Sequence, residues 1–241
     1  MSKDLIVKGN KLIEASYRLS LTEMRLVLKM ASVIRKEDSE FSSYRFAVRD
    51  LLAEFSMHAE DHGEIKKATA GLISKVMRIE DAEQKRELQI SFISSAEYLD
   101  SQGIVELSFD SKLKPYLLQL RKNFTSFQLS TVKRLGSVYT VRIYELAKQF
   151  EKIGTRRLQL DELKRMLGID SGHYRQYGHF KQRVLRPALK EINKHTDLSV
   201  EMREIKFGRR VEVIELHMKK SQRQPWHVQR LNALAESKRA A

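Results

Sequence analysis

The chain has 241 residues, 41% of them hydrophobic, no cysteine, and 45 Lys+Arg against 31 Asp+Glu, a formal net charge of +14. Disulfides and thiolate metal sites are thereby excluded, and no apolar run approaches the roughly 18 residues of a membrane span or forms a secretory signal. The charge is lopsided: residues 1–119 hold 18 basic and 19 acidic side chains, and residues 120–241 hold 27 and 12, which suits a polyanionic partner for the second half without choosing among DNA, RNA and anionic lipid. A cytoplasmic chain of one large domain or two ordinary ones, with no membrane attachment and no cofactor, is the expectation.

In chain order, the first helical pattern opens at Ser20-Leu21-Thr22-Glu23. This is a capping box, in which the serine and glutamate side chains each satisfy a free backbone N–H. Leu21, Met24, Val27, Leu28, Ala31 and Ile34 then recur at helical spacing. Arg45–Phe55 reads as a short strand feeding a short helix, and 64–78 as a second helix. Leu88, Ile90 and Phe92 are expected to pair with Val105, Leu107 and Phe109 across a turn near Asp100–Gly103. Arg121-Lys122-Asn123 reads as a link, and Phe124–Leu129 as a strand leading into a second long helix from Thr131 to Lys152.

The pattern then returns. Arg157–Leu167 parallels Arg45–Phe55 at a separation of about 112 residues, with Phe46, Val48, Leu51 and Phe55 matched by Leu158, Leu160, Leu163 and Leu167. A helix over His179–His195 follows, kinked at Pro187 because proline removes one backbone bond. Leu198, Val200 and Met202 then pair with Val211 and Val213 across Lys206–Arg210. Beyond Val213 the apolar phase slips to Ile214, Leu216 and Met218, as a β-bulge would make it. Long helix, strand, helix, helix, hairpin is the order of a winged helix, and it occurs twice. An α+β fold of two tandem winged-helix domains is expected, at 1–120 and 121–220, with a weakly ordered basic tail at 221–241.

The apolar stripe Phe180, Val184, Leu185, Ala188, Leu189 and Ile192 must face the core, so the opposite face presents His179, Gln182, Arg183, Arg186 and Lys190. An α-helix fits the major groove, where Arg reads guanine and Gln reads adenine. Tyr174, Arg175 and Gln176 fall in the connection that would accompany the helix N-terminus into the groove. Lys206, Arg209 and Arg210, around Gly208, form a wing tip suited to phosphate or the minor groove. The matching helix of the first domain offers Lys66, Lys67, Thr69 and Lys75 opposite Ile65, Ala68, Leu72 and Val76, a weaker surface for DNA or for protein contact. His58 and His62 share a helical spacing, but a polar turn accounts for them better than a metal, because the zincin glutamate is missing. With no P-loop, no His-apolar-His triplet beside a tyrosine and no carboxylate cluster, no enzyme is expected.

Lys8–Ala15 followed by Leu19–Leu26, then Ser111–Leu118, Phe124–Phe127, Ser137–Tyr139, Arg142–Leu146 and Phe180–Asn193, occur in an order that resembles the iteron-binding plasmid replication initiators, Rep proteins with two winged-helix domains. The resemblance covers roughly residues 5–218. It implies binding of direct origin repeats in double-stranded DNA by monomers, repression of the chain's own promoter by a homodimer, opening of adjacent AT-rich DNA and recruitment of host replication proteins. It also implies that the second domain makes the tighter base contacts and that a proline is tolerated at Pro187. A transcriptional regulator without initiator activity and an RNA-binding or scaffolding module are the alternatives.

Overall fold

The computed structural model describes residues 4–81, 84–170 and 172–221; apart from Ser221, the tail expected at 221–241 lies outside the described residues. The chain forms two compact units, Met1–Leu129 with Arg165–Ile169, and Ser130–Lys164 with Asp170–Ala241.

The first unit opens with β1 (Leu5–Gly9) and α1 (Asn10–Glu14), followed by α2 (Leu21–Ser32). The capping box is formed: Glu23 N–H donates to Ser20 Oγ at 3.2 Å, and Ser20 N–H donates to Glu23 Oε2 at 2.6 Å. β2 (Tyr44–Ala47) feeds α3 (Val48–Glu54), and α4 (His62–Ser74) follows. α4 ends four residues before the expected Arg78. From Met77 the burial alternates, Met77 and Ile79 inside and Arg78 and Glu80 outside, so the segment obeys the two-residue period of a strand. It forms β3 (Met77–Asp81), paired with β4 (Arg86–Ile90). Leu88 and Ile90 therefore lie opposite Ile79 and Met77, not Val105 and Leu107. The expected turn at Asp100–Gly103 does exist, joining β5 (Ile93–Leu99) to β6 (Ile104–Phe109).

After α5 (Lys114–Leu117), β7 (Phe124–Gln128) pairs antiparallel with β1. That ladder moves the boundary from the expected 120 to 129. A strand hydrogen-bonded along its length to β1, with Thr125 and Phe127 buried, belongs to the first unit.

The long helix expected over 131–152 is two helices, α6 (Leu129–Val132) and α7 (Val138–Lys148). The break falls where Ser137 turns extended and its hydroxyl accepts from Tyr139 N–H at 3.2 Å, starting a fresh N-terminus. β8 (Thr155–Gln159), α8 (Leu160–Met166), α9 (Tyr177–Phe180) and α10 (Arg186–His195) come next, and β9 (Leu198–Phe207) and β10 (Arg210–Lys220) close the unit. The expected bulge is present, as the register of β9 and β10 shifts between Val211 and Val213. It turns Ile214, Leu216 and Met218 inward, all buried.

The sequence repeat reappears as topology. The sheets run β2-β6-β5 and β8-β10-β9, so in each unit the short strand pairs with the second strand of the following hairpin. Of the matched apolar residues, Val48, Leu51, Phe55, Leu158, Leu163 and Leu167 are buried, whereas Phe46 and Leu160 are half-buried. The first unit differs by the β3–β4 hairpin inserted before its wing.

Candidate nucleic-acid interface

α9 and α10 are one helical run joined by a π-helical turn over Lys181–Leu185, in which Arg186 N–H donates to Lys181 O, five residues back. Two features of the sequence favour it. Pro187 has no N–H to give and would crowd the carbonyl four residues earlier, and a wider turn relieves both. Phe180, Val184, Ala188 and Ile192, four of the buried residues of the run beside Leu185, are also spaced by four, which drifts about 40° per step at 3.6 residues per turn. One wide turn absorbs much of that drift, and all four are at most 2% exposed.

The opposite face then falls as expected. His179, Gln182, Arg183, Arg186 and Lys190 are exposed, as is Pro187 between them. Among the described residues, no hydrogen bond or ion pair engages the side chains of Arg183, Arg186 or Lys190. Arg175 and Gln176 are exposed ahead of the helix. Tyr174 adopts φ 51°, the left-handed region, and its ring packs on Phe180 with centroids 6.0 Å apart, while its carbonyl accepts from Lys164 Nζ at 3.3 Å. The approach to the helix is thus held in shape before any partner arrives.

The wing is the β9–β10 hairpin. Phe207 pairs with Arg210, leaving the two-residue turn Gly208-Arg209, with φ 62° at Gly208, a conformation glycine takes without strain. Lys206, Arg209 and Arg210 are all exposed at this tip. Sequence reasoning passed over the residues that tie wing to helix. Glu204 Oε1 accepts from Tyr177 Oη at 2.6 Å and lies 2.5 Å from Lys181 Nζ. Burial pushes the Glu204 carboxyl up, but the bonds from Lys181 and Tyr177 outweigh it and hold the carboxyl below its usual range. Burial, and then the Glu204 contact, push the Tyr177 hydroxyl up. The signal was parity: Glu204 continues the inward-facing series Leu198, Val200, Met202, where an acid needs a partner.

The first unit's face is different. Lys66 and Lys67 are exposed, but Lys66 Nζ lies 3.4 Å from Asp100 and 4.9 Å from the centre of the Tyr98 ring, and Lys67 pairs with Glu64 at 3.2 Å. Thr69, expected on the outer face, is buried; its hydroxyl donates to Lys66 O and meets Tyr98 Oη at 2.9 Å, because β5 packs against this side of α4. Lys75, also expected outward, places Nζ 2.6 Å from both carboxylate oxygens of buried Glu23. Val76, expected in the core, is exposed, because the helix has ended. His58 starts a tight turn, its N–H donating to Asp61 Oδ2 at 2.9 Å. No group of metal-ligating side chains occurs among the described residues, and no helix there is long and apolar enough to cross a membrane.

Two units of this order, each carrying a hairpin that flanks the second helix of a helix-turn-helix, define a tandem winged-helix protein. The comparisons with known proteins agree. Residues 5–148 match the family model described as Initiator Replication protein, WH1, and residues 159–218 match Initiator Rep protein, WH2; the chain belongs to this initiator family. It is 27% identical over 210 residues to a replication initiation protein of Escherichia coli, covering 83% of this chain and 65% of that protein's length. It is 31% identical to the PI protein of Escherichia coli over 128 residues, 47% of this chain and 42% of that one. The crystal structure of Pi initiator protein in complex with iteron DNA superposes with a TM-score of 0.73, at 21% identity, over 92% of this chain and 100% of the other, and so shares the fold.

Proposed function

We propose that the chain initiates plasmid replication, as a binding protein without catalytic turnover, by engaging direct repeats in double-stranded origin DNA as a monomer. The observation that carries this reading is the exposed row His179, Gln182, Arg183, Arg186 and Lys190, whose arginines and lysine no carboxylate neutralises among the described residues. A helix face of that kind gains by displacing counterions from DNA and by meeting base edges. Arg175, Gln176 and the wing cations Lys206, Arg209 and Arg210 extend it to the flanking backbone, and Tyr174 shapes the approach. In the first unit Lys66 and Lys67 remain as accessory phosphate contacts; Thr69 and Lys75 are committed to the fold. Family membership, and the fold shared with a protein solved on iteron DNA, support the reading. In the same reading a homodimer represses the chain's own promoter, and host replication proteins are recruited to the opened origin.

The test is a mobility-shift titration on a duplex carrying the tandem repeats that flank the gene, against a scrambled duplex, at two salt concentrations. Arg183→Ala and Arg186→Ala should each cost about 1–3 kcal/mol and relax base preference. A loss equal on both duplexes would reassign that arginine to phosphate. Initiation itself is read by supplying the chain in trans to a plasmid that carries only the flanking DNA; a plasmid that fails to replicate there, though bound in vitro, would leave a plain regulator.

A further inference from the structure

Phe207 is 60% exposed and belongs to no core. It stands at the end of a two-stranded ribbon: β8 stops pairing with β10 at Val213, so among the described residues the hairpin beyond that pair has no third strand beside it. Directly paired residues of an antiparallel ladder share a face. Phe207 therefore lies beside Arg210, while Lys206 lies on the other face with Val211, and Arg209 occupies the turn. The ribbon tip thus carries cations on both faces and at its end, with one large apolar ring among them. A surface so charged is complementary to a polyanion on both sides, as in a groove walled by two phosphate strands. What an apolar ring meets inside such a groove is sugar and base rather than phosphate.

We propose that Phe207 is an apolar wedge that the wing inserts into the DNA minor groove, burying its ring against deoxyribose and partly unstacking a base step, while Lys206, Arg209 and Arg210 hold the phosphates on either side. The proposal rests on the DNA-binding reading above. The ring also borders a depression whose other lining residues are Arg157, Leu158, Gln159, Glu162, Ile205 and Val213.

The experiment uses the full chain and the repeat duplex defined above, with binding measured by fluorescence anisotropy across a salt series and base unstacking by 2-aminopurine walked along the duplex. Phe207→Ala should weaken binding about tenfold, the scale of one buried aromatic side chain. It should leave the slope of log affinity against log salt unchanged, because no charge is removed, and abolish a 2-aminopurine signal present with the native chain. Phe207→Leu should restore most of the affinity. Thermal unfolding of both variants should match the native chain, since the ring is exposed. Native-like binding by Phe207→Ala overturns the wedge and assigns the ring to a protein contact. A loss that Leu does not restore, or one that changes the salt slope, overturns it as well. The triple substitution of Lys206, Arg209 and Arg210 with Ala separates the two levels. If it leaves the salt slope unchanged, the wing does not touch DNA and the underlying reading of the wing fails; if the slope flattens while Phe207→Ala is silent, only the wedge fails.

Discussion

At the scale of single residues, the chain uses charge in two opposite ways. Glu23 is nearly inaccessible, yet it accepts from the backbone of Ser20 and from the ammonium of Lys75, and it occupies the space that a side chain at position 71 would need. A Cβ at Gly71 would lie 1.9 Å from Glu23 Oε1. Alanine in place of an interior helical glycine ordinarily gains roughly 0.5–1 kcal/mol. Here the expected outcome is a loss on the order of 1–3 kcal/mol from overpacking, and the sign should reverse in a Glu23→Ala background, where the space is free. Urea unfolding of the two single variants and the double variant measures this; a Gly71→Ala gain in the native background would show that Glu23 moves aside cheaply. Glu204 is the second case. Its carboxyl is held below the ordinary range when folded, so its contribution is present above the unfolded value and is lost as pH falls through the lower folded value. Unfolding titrations in acid should therefore show stability falling in the native chain over that range, with a smaller fall in Glu204→Gln; identical profiles would mean the contacts with Tyr177 and Lys181 do not persist in solution.

At the scale of elements, the π turn reconciles a proline at 187 with a helical run that keeps its apolar face buried and its polar face continuous. A proline in a regular helix interior costs about 3 kcal/mol or more. Because the wide turn already removes the clash, Pro187→Ala should change stability by less than about 1 kcal/mol. Denaturant midpoints check this, and a gain near 3 kcal/mol would show that the proline is strained after all. The bulge in β10 does similar service in the wing. By inserting one residue between Val211 and the buried Val213 it lets the hairpin project beyond the sheet while Ile214, Leu216 and Met218 turn into the core.

At the scale of the whole molecule, the surplus of positive charge in the second half of the sequence becomes a difference in pairing. Arg183, Arg186 and the wing cations carry no ion pair among the described residues, whereas Lys66, Lys67 and Lys75 each sit beside a carboxylate. Every phosphate of duplex DNA that the protein ceases to neutralise flattens the salt slope by about 0.9. Removing the three wing charges should therefore flatten it by about 2–3, and Lys66→Ala with Lys67→Ala by less than about 1. A larger effect from the first-unit pair would reverse this division of labour between the units.

Much of this was legible because it depends on short-range periodicity. The capping box at Ser20, the inward stripe from Phe180 to Ile192, the slip of phase after Val213 and the twofold recurrence of strand, helix, helix and hairpin are all set by neighbours a few residues apart, and each returned in the structure. What stayed hidden depended on partners far along the chain. The pairing of β7 with β1 across more than a hundred residues moved the unit boundary, the β3–β4 hairpin claimed Leu88 and Ile90, and Lys75 was drawn to Glu23 and Thr69 to Tyr98. Local sequence determines which residues can face a core or a solvent. Only tertiary packing decides which carboxylate lies within reach of which ammonium, and hence which cations remain available to another molecule.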